Sequence, residues 1–164
     1  MKNSNNYILK DQAIIKFDVR TKGGRIYKKQ EFIRHRKFNN SFSKSDHYIS
    51  TVLRHLNERG EDGLVSGEIL SDDSTMYSLM NVSHMLQNFK IVDDLLLADV
   101  KLLETPQGKI LKSLHDNNIL LKTHVFRPRL IEGREYPDGE MELDSIGKFD
   151  AIRIEEDEFR GIIN

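Results

Sequence analysis

An α+β fold is predicted: a mostly antiparallel β-barrel or curled sheet of about six strands with about three surrounding helices. Three observations lead there. Short apolar segments with period-two alternation recur along the chain, as in Ile15-Lys16-Phe17-Asp18-Val19. Helical signals are few and do not alternate strictly with the strands, which argues against a parallel doubly wound sheet. With 164 residues and no Cys, the chain can bury a core without disulfides, and no thiolate zinc site can form.

In order, residues 1–11 are rich in Asn and Lys and read as a flexible N-terminal arm, leaving 12–164 as a single domain. Ala13–Val19 is a half-buried strand, and Thr21-Lys22-Gly23-Gly24 is a turn. Lys28–Phe38 reads as a basic helix. A second helix is expected over Asp46–Arg59, capped by Ser45 and ended by Gly60. Leu64–Leu70 is the next strand and Ser71–Thr75 a polar loop. Asn81–Lys90 and Leu95–Leu103 form two strands joined around Val92-Asp93-Asp94, an acidic turn. Thr105 as N-cap and Pro106 as first helical residue open a helix whose apolar face is Ile110, Leu111 and Leu114. Ile119–Ile131 is extended, Glu132–Glu140 is a loop, and Met141–Glu156 carries the last strand.

Net charge is −1, but its distribution is uneven. Residues 1–60 hold 14 Lys and Arg against 5 Asp and Glu, a balance of +9; residues 61–164 hold 11 against 21, a balance of −10. A solvated, internally compensated surface is the plainer reading of that asymmetry, and an acidic partner or nucleic acid facing Arg20–Lys37 is the other. The opening Met1-Lys2-Asn3-Ser4-Asn5-Asn6 has no apolar run of the signal-peptide type, so a cytosolic origin is expected. No stretch approaches the eighteen or so apolar residues of a membrane span, so a soluble protein with no membrane partner is expected. Neither phosphate-loop nor metal-ligand spacing occurs, so no cofactor and no metal is expected.

Two stretches carry candidate chemistry. His84, in Val82-Ser83-His84, has the basicity of a general base at neutral pH; a lone His in an apolar strand is more often a hydrogen-bonded structural residue. Thr123-His124 joins a hydroxyl to an imidazole on a later strand, where Thr123 is either a nucleophile or an ordinary β-branched strand residue. Arg127 and Arg129 flank Pro128, and each could order an oxyanion or pair with a carboxylate. Glu68 could stand beside His84 across paired strands or face solvent.

The order of these pieces resembles the prohead (capsid maturation) proteases of tailed phages, in the myovirus-type branch whose fold is similar to herpesvirus assemblin. Lys22-Gly23-Gly24-Arg25-Ile26-Tyr27 resembles the family's Asn-Gly-Arg-hydrophobic-Tyr motif, and Gly67-Glu68-Ile69 its Gly-Glu-hydrophobic strand. Val82-Ser83-His84 resembles the segment that carries its general-base His. Leu102-Leu103-Glu104-Thr105-Pro106-Gln107-Gly108-Lys109 is similar to its Leu-x-Thr-Pro-x-Gly-Lys helix start, and Phe149–Ile154 followed by Phe159–Ile163 to its last strand and tail. The resemblance spans roughly residues 13 to 163 and departs at the chemistry. Where the family carries its nucleophilic Ser, this chain reads Leu120-Leu121-Lys122-Thr123-His124-Val125-Phe126-Arg127-Pro128, so that Thr123, His124, Val125 or Phe126 takes that place. Arg153 stands where the family tends to carry Asp, and Leu70-Ser71-Asp72-Asp73 replaces its Asp-His-Pro run.

The resemblance therefore implies an assemblin-like fold and a catalytically inactive structural or assembly protein of a phage head. Its expected partners are capsid or scaffold proteins, or further copies of itself, in the host cytoplasm during assembly and then in the prohead or virion. The alternative is an active maturation endopeptidase cleaving scaffold and capsid precursors, with His84 as base, Thr123 as nucleophile and Arg127 at the oxyanion. A third reading is a nucleic-acid-binding module using Arg20–Lys37.

Overall fold

The structure, a computed structural model, describes residues 7–39, 47–69, 81–130 and 146–163. The described elements run β1 (Ile8–Lys16), α1 (Lys29–Ile33), β2 (His35–Asn39), β3 (His47–Thr51), α2 (Val52–Glu61), β4 (Ser66–Glu68), β5 (Val82–Val92), β6 (Leu95–Leu102), α3 (Pro106–Asp116), α4 (Leu120–Thr123), β7 (His124–Leu130) and β8 (Ile146–Arg153), with a 3-10 turn over Ile154–Glu156. The α+β class and the predominance of antiparallel pairing agree with the sequence.

The central sheet has the order β1-β6-β5-β4, all neighbours antiparallel. β7 and β8 form a separate antiparallel pair. One parallel bridge, Ile69 to Ala151, carries the central sheet over to β8, and the Arg127 guanidinium on β7 reaches the Ala13 carbonyl of β1 at 2.6 Å. Six strands thus curl nearly all the way round without closing a ladder at the β1–β7 seam. The expected barrel is an open, curled one.

Local chemistry accounts for the best-read elements. Leu96, Ala98, Val100 and Leu102 alternate on one face of β6 and are all buried, and Asp93 turns the chain from β5 into β6 at a positive φ of 55°. Asn and Asp tolerate that region because a short polar side chain can bond its own backbone. Thr105 caps α3 as expected, its hydroxyl accepting from the Gly108 amide at 3.0 Å, with Pro106 in the first turn. Only Leu111 of the anticipated apolar face is fully buried; Ile110 is half exposed.

Elsewhere tertiary pairing overrides the helical pattern. The basic helix expected over Lys28–Phe38 is confined to α1, after which His35–Asn39 pairs with β3. The helix expected over Asp46–Arg59 starts later: His47–Thr51 is strand, and Thr51, not Ser45, caps α2, accepting from the Arg54 amide at 3.1 Å. Ser45 lies outside the described residues, as do the expected loops Ser71–Thr75 and Glu132–Glu140. Ile119–Ile131 is not extended throughout, because α4 precedes β7. β1 begins at Ile8, inside the stretch read as an arm, with Tyr7 and Leu9 buried.

The core joins the sheet to its flanking helices through Phe17, Phe32, Leu86, Leu96, Leu111, Phe126, Phe149 and Phe159, among others. α2 sits against β5 where that strand bulges at Asn88, which has a φ of 55°. The Asn57 side chain of α2 satisfies both backbone groups of Phe89 there, accepting from its amide at 2.6 Å and donating to its carbonyl at 2.9 Å.

Candidate functional site

His84 lies on β5, paired across to Gly67 on β4 and to Leu102 on β6. Its side chain has no solvent exposure. The Ser83 hydroxyl donates to Nδ1 at 2.7 Å, and Nε2–H donates to the Phe149 carbonyl of β8 at 2.6 Å, an assignment that follows because a carbonyl can only accept. The Phe126 ring of β7 stands edge-on to the imidazole, centroids 4.9 Å apart. Burial pushes the imidazole pKa down to about 4, against the Phe149 carbonyl, which raises it.

The close approach of β8 depends on Gly67. A Cβ there would fall 1.8 Å from the Phe149 carbonyl oxygen and 2.6 Å from His84 Nε2. Only a hydrogen fits between those atoms. The sequence places glycine opposite a buried histidine, and in doing so lets the imidazole bond a backbone carbonyl of the neighbouring sheet.

Thr123 and His124 sit at the α4–β7 junction. The Thr123 hydroxyl lies 2.8 Å from His124 Nδ1, and it also bonds back to the Ile119 and Leu120 carbonyls at 3.2 and 3.3 Å, a habit of Thr at a helix end. His124 pairs in register with Arg153 of β8. Burial lowers the His124 pKa, and the Arg153 charge adds to that, against Glu155, which raises it. His84 and Thr123 are therefore engaged in separate hydrogen-bond sets. Val125 and Phe126 follow on β7, and of the four residues that could take the nucleophile's place it is Phe126 that meets His84.

Arg127 is committed to closing the fold. Its Nε and Nη2 clamp Asp157 at 2.8 and 3.0 Å, and Nη1 donates to the Ala13 and Phe126 carbonyls at 2.6 and 3.0 Å. Both partners of the ion pair are about 4% exposed. The guanidinium also stands 5.5 Å from the Phe159 ring centre. A planar five-donor fork suits this task, joining β1, β7 and the C-terminal tail at one point.

Glu68 neither faces solvent nor stands beside His84. A register shift after Gly67 sets it opposite Val82, and its carboxylate, 1% exposed, meets Arg129 at 3.3 Å. Arg129 Nε also binds the Asp150 carboxylate, whose other oxygen accepts from the Glu68 amide at 3.1 Å. Burial pushes the Asp150 carboxyl above its ordinary value, while Arg129 and the Glu68 amide pull it down. This cluster ties β4 to β7 and β8. Asp150 was missed from the sequence. A lone carboxylate between Phe149 and Ala151 was the available signal, since a charge inside an apolar strand is rarely buried without a partner.

Arg153, which replaces the expected Asp, is 65% exposed at its side chain and lies 3.5 Å from Glu155. A groove of about 530 Å3 runs along the seam, walled by Gln12 and Ala13 on β1, Leu121, His124 and Phe126 on the facing side, and Arg160 and Ile163 from the tail. Among the described residues, no group of three or more His, Asp and Glu side chains is placed to hold a metal ion, and no helix is long and apolar enough to cross a membrane.

The curled six-strand frame is a prohead-protease-like fold by its likeness to a solved structure. One solved structure that it resembles is that of the bacteriophage T4 capsid assembly protease, gp21, with a TM-score of 0.55 over 88% of this chain and 80% of that one, at 12% identity. No family model matches the sequence, and no curated protein matches it.

Proposed function

We propose that this chain is a structural or assembly protein of a phage head that retains the prohead-protease fold without peptide-bond hydrolysis. The observation that carries the reading is the closure around His84. A general base must present a nitrogen to the proton it takes. Here Nδ1 is occupied by Ser83, Nε2 is spent on Phe149, and Phe126 fills the side from which β7 would offer a nucleophile. Ser83 is within reach of the imidazole, but it is as fully buried as His84 and cannot meet a polypeptide substrate without opening the core. The likeness to a capsid assembly protease supports capsid or scaffold proteins as partners, and a place in the prohead or virion after assembly in the host cytoplasm.

The test is co-expression with candidate capsid and scaffold proteins. The chain is expected to copurify with capsid protein and to leave both precursors at full length. Specific cleavage of either by the purified protein overturns the reading. One observation favours an active endopeptidase instead: Thr123 carries a hydroxyl 2.8 Å from an imidazole, and that imidazole walls the seam groove. In that case Thr123→Ala abolishes cleavage, and unchanged rates in Thr123→Ala and His124→Ala remove that mechanism.

The state of His84 has its own consequence for stability. Its folded pKa of about 4 lies below the unfolded value of 6.5, so between them the unfolded chain binds more protons. The stabilisation from keeping His84 neutral is complete above pH 6.5, is lost as pH falls, and is gone below about pH 4. Denaturant melts at pH 7 and pH 5 should differ by about 2 kcal/mol from this group alone. His84→Gln should remove most of that difference; an unchanged pH slope in the variant would show that His84 does not titrate this way.

A further inference from the structure

The β2–β3 ribbon pairs five residues of each strand, His35 with Thr51 through Asn39 with His47, and neither strand has a second ladder partner among the described residues. A two-stranded ribbon is marginal by itself, and each free edge is a row of backbone donors and acceptors. Its two faces differ. Ser50 is buried and Arg36 half-buried on one face, while His35, Lys37 and the 63% exposed Ile49 stand on the other. Ile33, at the end of α1 just before the ribbon, is 50% exposed.

The charge around the ribbon narrows what can cover it. Three basic residues of the first sixty are paired with acids from the rest of the chain, Lys10 with Asp99, Lys16 with Asp94 and Arg25 with Glu158, and two with acids of their own segment, Arg34 with Glu31 and Arg54 with Glu58. Lys37 and His35 have no carboxylate partner among the described residues. Like charges set opposite each other on paired strands repel and unlike charges attract. Edge-to-edge pairing of two copies would bring Lys37 toward its own counterpart. An acidic strand would meet it favourably.

We infer that the β2–β3 ribbon is a docking edge for an extended acidic polypeptide, which adds to it as a further strand and covers Ile49 with an apolar side chain. Main-chain hydrogen bonds supply most of the contact in such an addition, and the exposed side chains select the sequence. The inference deepens the assembly reading by naming the chemistry of the partner, and depends on that reading only for where the partner comes from.

The test uses the full chain and a synthetic acidic peptide rich in β-branched residues, read by amide exchange and by titration. Exchange should slow at residues 35–39 or 47–51. Methylation of alternate peptide amides, or the double change His35→Glu and Lys37→Glu, should each weaken binding about tenfold or more. Exchange in the central sheet serves as the control that the double variant is folded. Equal binding of a basic or methylated peptide, protection elsewhere, or tighter binding of a single-stranded oligonucleotide overturns the inference. The two readings separate in the capsid copurification assay. Copurification that persists in the double variant overturns the ribbon inference and leaves the assembly reading standing. Peptide binding at the ribbon by a wild-type chain that never copurifies with capsid protein does the reverse.

Discussion

Arg127→Ala is expected to destabilise the fold by about 3–5 kcal/mol, since breaking a buried ion pair strands the remaining charge in a low-dielectric site. The stranded charge here is the buried Asp157, and the loss extends to the Ala13 carbonyl, which Arg127 bridges from β7. Arg127→Lys should recover only part of it, because a single ammonium cannot grip both oxygens of Asp157 and reach β1 as well. Denaturant melts of the two variants measure this. A loss below about 1 kcal/mol would mean that water replaces the guanidinium at little cost and that the seam does not depend on it.

Gly67→Ala should be the most damaging single methyl in the described chain near His84. Inserting a methylene into a packed core costs about 1–3 kcal/mol when neighbours can shift, and more when they cannot. Here the nearest obstacle is the Phe149 carbonyl at 1.8 Å, part of a strand held from its other side by β7. β8 must therefore withdraw, and the His84 Nε2 bond to the same carbonyl goes with it, leaving a buried donor unpaired at a further cost of about 1–3 kcal/mol. The combined loss should exceed about 3 kcal/mol by thermal or denaturant unfolding, with the imidazole resonances of His84 shifted in the folded fraction. A stable Gly67→Ala protein with unaltered His84 resonances would mean that β4 and β8 are farther apart than described.

What could be read from the sequence was what neighbouring residues decide between themselves. The β5–β6 hairpin announces itself by alternation and by Asp93-Asp94 at the turn, and α3 by Thr105-Pro106, because a cap, a fixed proline φ and a turn residue act within a few positions. His35–Phe38 and His47–Thr51 were misread as parts of the two helices expected over Lys28–Phe38 and Asp46–Arg59, of which only Lys29–Ile33 and the stretch from Val52 onward are helical. Pairing between Arg36 and Ser50, fourteen positions apart, decided otherwise. At the candidate site the same division holds. His84 stands out as a single residue in an apolar strand, but its closure depends on Phe149 and Phe126, which come from strands far along the chain. Glu68 was left undecided for that reason, and Asp150 was overlooked.

The open seam has a consequence for how the molecule comes apart. The four-stranded sheet is held internally by backbone ladders, whereas its links to the β7–β8 pair are a few separate contacts, among them the Ile69 bridge, the His84–Phe149 bond, the Glu68–Arg129–Asp150 cluster and the Arg127 clasp. Local openings follow such boundaries, since cooperative units detach where few bonds must break together. Native-state hydrogen exchange should therefore divide the described chain into two populations, with β7, β8 and the tail through Phe159 opening as one block while β5 and β6 still resist. A partner that grips both blocks would hold the slower and the faster half to a single rate.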